Sequence, residues 1–269
     1  MLIDCFPYFN EVELLKLRYE VLKDHVDGFI IVEADRTHRG DPKPFTLQSV
    51  LNSQNISSHN IFVLQAFLPS KEEVEDPWIR ERGQRDALGT ALQKLPEDTV
   101  FICSDCDEIP NPRVFDEIKE YLAYNQNSIC GLDMSMHYGR ADLQLCSDTG
   151  SLFNWRCATA CTVSTLLELG SITAVRNQEN RRFIGNRDAG LHFSWMGGAE
   201  RRKTKLSSIA EHYLWDTPEV QSLCESFVAS KGNLDMLGRK DHILTEYPVE
   251  NLPPEVFKIE SVYNYLFPA

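Results

Sequence analysis

The sequence predicts an α/β protein: a mostly parallel central sheet flanked by helices. Two observations carry this. Through the first half, short apolar runs of strand length alternate with stretches of helical periodicity. Acidic clusters also fall directly after two of those runs, at the carboxyl ends of strands, where ligands sit on such sheets. The 269 residues suffice for one large domain with a full core, and no repeat, low-complexity run or linker divides them, so 1–269 is expected to be a single domain.

In chain order, residues 1–5 form a short strand, and 11–22 form a helix with Val12, Leu15, Tyr19 and Leu22 at helical spacing. Gly28-Phe29-Ile30-Ile31-Val32-Glu33 is a buried strand that ends in acids, and 60–64 is another strand. Residues 78–95 read as a long amphipathic helix closed by Pro96. Thr99 to Cys103 is a strand that runs into Ser104-Asp105-Cys106-Asp107-Glu108-Ile109-Pro110, and a helix starts near Pro112. Beyond it, 128–136 and 154–162 are expected strands, 200–214 an expected helix, and 248–269 a tail lying across the surface.

The formal charge of −13, with 42% hydrophobic and 25% charged residues, describes an ordinary globular chain and argues against nucleic acid or an anionic membrane as a partner. No apolar stretch approaches the roughly 20 residues a bilayer requires, so no transmembrane segment is expected, and the start has no basic region leading an apolar one. The expected location is the cytoplasm, or a lumenal compartment if an anchor was removed from a longer protein. The eight cysteines lack a paired zinc-ligand spacing and are expected to be reduced and mostly buried.

Three constellations carry chemistry. Asp105 and Asp107, one residue apart beyond a buried strand, can reach toward one point, and hard divalent ions such as Mn²⁺ or Mg²⁺ take oxygen ligands while keeping positions open for phosphate. With Glu108 they form a dense negative patch that needs a cation or an Arg/Lys partner; otherwise it is a solvated loop. Trp78-x-Arg80-Glu81-x2-Gln84-Arg85-Asp86 offers a guanidinium to a phosphate or base, or only a surface Glu81–Arg85 pair. Gly190 to Glu200 joins a histidine and aromatics to a glycine pair that opens a helix, and Arg201, Arg202, Lys203 and Lys205 follow, which are suitable parts for a diphosphate. There His192 can equally be a satisfied core residue, and Glu200 a helix-dipole partner.

These residues together resemble glycosyltransferase family 17. The resemblance is carried by Asp4-Cys5-Phe6-Pro7-Tyr8-Phe9-Asn10-Glu11 with Leu14 and Arg18, by Val32-Glu33-Ala34-Asp35-x-Thr37-His38-x-Gly40-x-Pro42-Lys43-Pro44 and by Glu81-x2-Gln84-Arg85. Asp105 to Pro110 and His192-x-Ser194-Trp195 with Glu200 and Lys205 continue it, and Tyr247-Pro248 and Leu252-Pro253 look like the family's ending. The resemblance implies a GT-A-like fold, a UDP-sugar donor (UDP-GlcNAc first), a glycan acceptor, Mn²⁺ or Mg²⁺, and inversion at the anomeric carbon. Asp105 and Asp107 are then the metal-binding acids, with His192 as a further ligand. Glu33, Asp35, Lys43, Arg85 and Lys205 are donor contacts, together with Asp105. Glu200 is the first candidate for the base, with Asp188 and Asp133 behind it.

One departure stands out. Leu191 precedes the histidine where the family's pattern has tryptophan, so the acceptor is not transferred with the family. A metal-dependent phosphoester or nucleotide-sugar hydrolase and a non-catalytic glycan-binding module are the alternatives. Sugar transfer to an added glycan separates the three.

Overall fold

The computed structural model describes residues 1–268. Its strands are β1 (Leu2–Tyr8), β2 (Gly28–Ala34), β3 (Ile61–Ala66), β4 (Val100–Cys103), β5 (Glu108–Pro110), β6 (Cys130–Leu132), β7 (Met134–Tyr138), β8 (Arg140–Cys146), β9 (Asn154–Trp155), β10 (Thr159–Thr162), β11 (Arg182–Ile184), β12 (Gly190–Ser194) and β13 (Ile243–Glu246). Seven of them form the main sheet in the order β11-β6-β10-β4-β1-β2-β3. The β4-β1-β2-β3 block is parallel throughout, β11 is parallel to β6, and β10 alone runs antiparallel to its neighbours. The expected mostly parallel sheet is present.

Burial on both faces explains the near-continuous apolar strands. Alternate residues enter opposite cores: Leu2, Phe6, Ile31 and Ile102 pack on one side with the helix Val12–Leu22, whereas Ile3, Cys5, Ile30 and Phe101 pack on the other with Leu88, Leu92 and Ile172. Each such side chain, taken fully out of water, contributes about 1.5–3 kcal/mol.

A smaller sheet, β13-β8-β7-β12-β5 with β9 on β7, stands beyond the acid turn. It is antiparallel except for β7–β12. Its outer core, with Tyr138, Leu145 and Leu244, is covered by Leu206 and Cys224 from the helices Gly198–Ser208 and Pro218–Ser226. Two strands expected as single runs divide between the sheets. Residues 128–136 break at Asp133 into β6 and β7, and 154–162 break into β9 and β10. Each break begins at a single charged residue, Asp133 or Arg156, inside an otherwise strand-like run, so periodicity alone leaves the change of sheet hidden.

The helix expected over 78–95 is Pro77–Ala87, capped by Asp76, followed by the short turn Gly89–Leu92. The helix expected over 200–214 ends at Ser208, because Ile209 is extended with ψ 162° and the chain restarts at His212–Trp215. The tail is a larger difference. Instead of lying on the surface, Val256, Val262 and Leu266 enter the main core, on two short helices, Glu255–Lys258 and Glu260–Leu266. Among the described residues, no helix is long and apolar enough to cross a membrane, and all eight cysteines are unpaired, with only Cys157 not fully buried.

Candidate functional site

The site begins where β4, buried at every position, delivers the chain to the carboxyl edge of the sheet. The turn Ser104–Asp107 then leads into β5, which belongs to the second sheet. One side chain holds this turn. Arg18, fully buried on the helix Val12–Leu22, forms a bidentate pair with Asp4 at 2.6 and 2.7 Å. It also donates to the carbonyls of Asp105 (2.7 Å) and Glu108 (2.8 Å) and to Ser104 Oγ (2.7 Å). The guanidinium thus exchanges its hydration for a complete set of acceptors, the condition under which a buried ion pair is tolerated. Glu108 Oε2 closes the turn by accepting from the Asp105 N–H at 2.9 Å.

The acids of the turn face different ways. Asp105 lies between Arg85 (2.7 Å) and Arg176 (3.0 Å). Burial favours its neutral form, but the two guanidiniums outweigh burial and hold the carboxyl far below the usual range. Asp107 meets Lys205 Nζ at 2.8 Å and His192 Nε2 at 3.6 Å, and these likewise overcome its burial and keep it ionised. Glu108 is wholly buried and takes Arg176 (3.1 Å) and the Trp155 indole N–H (2.5 Å), while the Trp155 ring lies 4.2 Å from that of His192. The negative patch is therefore compensated by cations from three separate elements.

Of the expected metal set, the structure brings Asp107 and His192 together and turns Asp105 toward arginines. No three His, Cys, Asp or Glu side chains form a metal-binding group among the described residues. Asp107 and His192 still suit a divalent ion. They offer an oxygen and a nitrogen donor 3.6 Å apart, a separation that ligand bonds of about 2.1 Å can span at one ion. Such ions are commonly held by one or two protein groups and completed by substrate phosphate and water.

Asp107 opens on a cleft of about 750 Å³ including its mouth. Phe9, Asn10 and Glu11 after β1, Thr37, His38 and Lys43 after β2, and Arg201 and Lys205 from the helix Gly198–Ser208 line it. The path from β12 into that helix is tightly bent: Trp195 has φ +58°, rare for a bulky residue, and Gly197 follows at +84°. The bend sets Lys205 over the Trp195 ring at 5.6 Å and against Asp107.

The other expected residues are placed as follows. Lys43 lines the cleft and pairs with Glu33 at 2.8 Å. Glu33 itself is buried and accepts from the backbone N–H groups of Thr46 and Leu47, capping the helix Leu47–Ser53. Asp35 accepts from the Leu68 N–H at 2.9 Å. Arg85 touches the acid turn rather than the cleft wall. Glu200, exposed in the first turn of its helix, and Asp188, exposed beside Asn111, do not line the cleft. Asp133 is buried at the β6–β7 break; Asn154 and Arg156 fix its Oδ2 at 3.2 and 2.9 Å, and its Oδ1 has no partner among the described residues.

Sequence reasoning missed Arg176 and Trp155. Each sits far from the acid turn in the chain, Trp155 in an expected strand with nothing to mark it for the site and Arg176 on a helix of five residues, too short for periodicity to show. Only the tertiary order of the elements brings them there.

A mostly parallel sheet with an acid turn at its carboxyl edge, facing a lysine- and arginine-walled cleft, defines an α/β protein with the parts to hold a phosphate-bearing ligand. Residues 1–129 match the model of Glycosyltransferase family 17, so the resemblance carried by the motifs is borne out over that stretch. The Beta-1,4-mannosyl-glycoprotein 4-beta-N-acetylglucosaminyltransferases of Homo sapiens and Rattus norvegicus are each 32% identical over 115 residues, 40% of this chain and 21% of the relative. The match thus spans about a fifth of those relatives' length. Two solved structures are similar at low identity. These are 4-diphosphocytidyl-2C-methyl-D-erythritol synthase (12% identity, TM-score 0.40, 70% of this chain and 90% of that one) and S. aureus TarS 1-349 (11%, 0.41, 84% and 69%). Likeness at that level leaves the fold to be read from the chain's own sheet order.

Proposed function

We propose that the chain is an inverting, metal-dependent glycosyltransferase that moves N-acetylglucosamine from a UDP-sugar to a glycan hydroxyl in β-linkage. The observation that carries the proposal is the acid turn on the cleft, with Asp107 against His192 and Lys205. Support for a transferase comes from the family model over residues 1–129 and from the names of the relatives.

Inversion is one in-line displacement: the acceptor oxygen bonds to the anomeric carbon as its bond to the diphosphate breaks. Asp107 and His192 would hold the divalent ion, which when bound supplies Lewis-acid stabilisation to the departing diphosphate. Lys205 adds a fixed positive charge on the same side, where charge develops. Arg18 and the Asp105–Arg85–Arg176 set keep the turn in one geometry, so little reorganisation is needed during reaction. The acceptor proton requires a carboxylate. None of the three lines the cleft. Glu200 and Asp188 are exposed, whereas Asp133 is buried with Oδ2 fixed and Oδ1 without a partner among the described residues, which leaves that oxygen to accept a proton, so we assign the role to Asp133.

The test is incubation with labelled UDP-GlcNAc, Mn²⁺ and a glycan panel, with the linkage read by NMR. A β-linked product, and turnover at least about 100-fold lower in Asp133→Asn than in Glu200→Gln, fits the assignment. Donor consumed only by water across the whole panel, or an α-linked product, contradicts the reaction. Near-normal turnover in Asp133→Asn contradicts the base alone.

A further inference from the structure

Beside the acid turn, among residues that do not line the cleft, the charge of the chain reverses. Residues 151–190 carry five arginines (Arg156, Arg176, Arg181, Arg182, Arg187) against three acids (Glu168, Glu179, Asp188), in a chain whose net charge is −13. The arginines are ordered by aromatic rings. Arg156 lies 4.6 Å and Arg181 5.5 Å from the Phe183 ring centroid, and Arg182 lies 4.8 Å from that of Tyr121. Phe183 sits on edge strand β11, against Gly131 of β6, and remains 40% exposed.

Arg181 differs from its neighbours. Arg156 pairs with Asp133, Arg182 with Glu117, and Arg176 with Asp105 and Glu108. Arg181 has no carboxylate partner among the described residues, and its Nε and Nη1 are buried without an acceptor, as is Nη1 of Arg176. Burial, with Arg176 nearby, works against its charge, and the other titrating neighbour is the Cys157 thiol. Buried guanidinium N–H groups without acceptors are rare, because each forfeits the hydrogen bonds it had in water. The half-exposed Arg156 guanidinium, with partly exposed Arg181 beside it on the same ring, suits a planar or tetrahedral anion.

We propose that Arg181 and Arg156, set on Phe183, form a subsite for an anionic group, carboxylate or phosphate, on the acceptor glycan. The proposal rests on the glycosyltransferase reading. Arg176, which joins this flank to Asp105 and Glu108, places the subsite beside the acid turn. An acceptor anchored there presents its hydroxyl near Asp133, whose Oδ2 is held by the same Arg156. Recognition of a charged group by pre-ordered guanidiniums makes selectivity against neutral glycans large, since a neutral acceptor leaves the donors unpaired.

The test is calorimetric titration of the full chain with a hyaluronan tetrasaccharide (carboxylates), mannose 6-phosphate (phosphate) and chitotetraose (neutral), with UDP-GlcNAc plus Mn²⁺ titrated separately. At least one anionic probe should bind more tightly than chitotetraose, weaken as salt rises from 50 to 300 mM, and lose about tenfold or more in Arg181→Ala. UDP-GlcNAc affinity and thermal midpoint should stay unchanged in that variant. The probe that binds identifies the anion. If neither anionic probe exceeds chitotetraose, or if Arg181→Ala binds the favoured probe as wild type does, the subsite is overturned while the donor reading stands. Should Arg181→Ala fold poorly, the salt dependence of the wild-type chain decides, and salt-independent binding refutes the proposal. Loss of UDP-GlcNAc binding in the wild-type chain would instead count against the transferase reading.

Discussion

Replacing Arg18 by methionine removes the side chain that ties β1, the helix Val12–Leu22 and the acid turn together. Methionine keeps most of the volume and none of the donors. Asp4, itself fully buried, is left as an unpaired charge, and breaking a buried pair from one side costs about 3–5 kcal/mol. The carbonyls of Asp105 and Glu108 each lose a charged donor, adding about 1 kcal/mol apiece even after relaxation. The sum, about 5–7 kcal/mol, is comparable with the whole stability of a typical domain, about 5–15 kcal/mol. Urea denaturation followed by circular dichroism should show a partly or wholly unfolded Arg18→Met chain at 25 °C. The double variant Asp4→Leu/Arg18→Met removes the stranded charge and should recover most of the stability, but its loosened turn should still bind UDP-GlcNAc poorly. A single variant within about 1 kcal/mol of wild type would refute the role given to Arg18. So would a double variant with normal nucleotide affinity, since the turn would then hold its geometry without the guanidinium.

Three further outcomes follow from the same geometry. Lys205→Met removes the cation at Asp107 and should weaken UDP-GlcNAc binding about tenfold, while Mn²⁺ added without nucleotide should bind no more weakly than to wild type; calorimetry reads both. Gly197→Ala puts a β-carbon at φ +84° against the Tyr265 ring and should cost about 2–4 kcal/mol, measured by urea denaturation. His137 is fully buried, its Nδ1–H donating to the Ala141 carbonyl and its Nε2 without a partner among the described residues, and burial lowers its pKa to about 4. Between pH 6.5 and 4 the unfolded chain therefore binds the proton that the folded chain refuses. Through His137, stability should fall by about 3 kcal/mol as pH drops through that window. Buried His38, whose pKa burial also lowers, adds to the fall, so His137→Phe should remove about 3 kcal/mol of it and leave a smaller slope of the same sign.

Much of the first half was legible in the sequence because its signals are local. Residues 29–32 and 100–103 are apolar at every position, which marks strands covered on both faces, and the acids after them mark the sheet's carboxyl edge. What remained hidden depends on tertiary order. Residues 128–136 look like one strand, yet the chain changes sheets at Asp133. The helix Ile172–Arg176, which carries Arg176 to Asp105, is only five residues long, too short for periodicity to show. Asp105 and Asp107 were recognisable as a pair, but their divergence, one to arginines and the other to His192 and Lys205, follows from Arg18 fixing the turn. Glu33 illustrates the opposite case: an acid at a strand end, where ligands bind, spends its oxygens capping the next helix and holding Lys43.

The most direct test of the account is calorimetric titration of UDP-GlcNAc, with UDP-glucose and GDP-mannose beside it, in the presence and absence of Mn²⁺, on wild type and on Asp107→Asn and His192→Ala. The account predicts Mn²⁺-dependent binding of UDP-GlcNAc in preference to GDP-mannose, abolished in Asp107→Asn and weakened in His192→Ala. Folded wild-type protein that binds none of the three donors, or binds UDP-GlcNAc equally well without Mn²⁺ and without the Asp107 carboxylate, would contradict it.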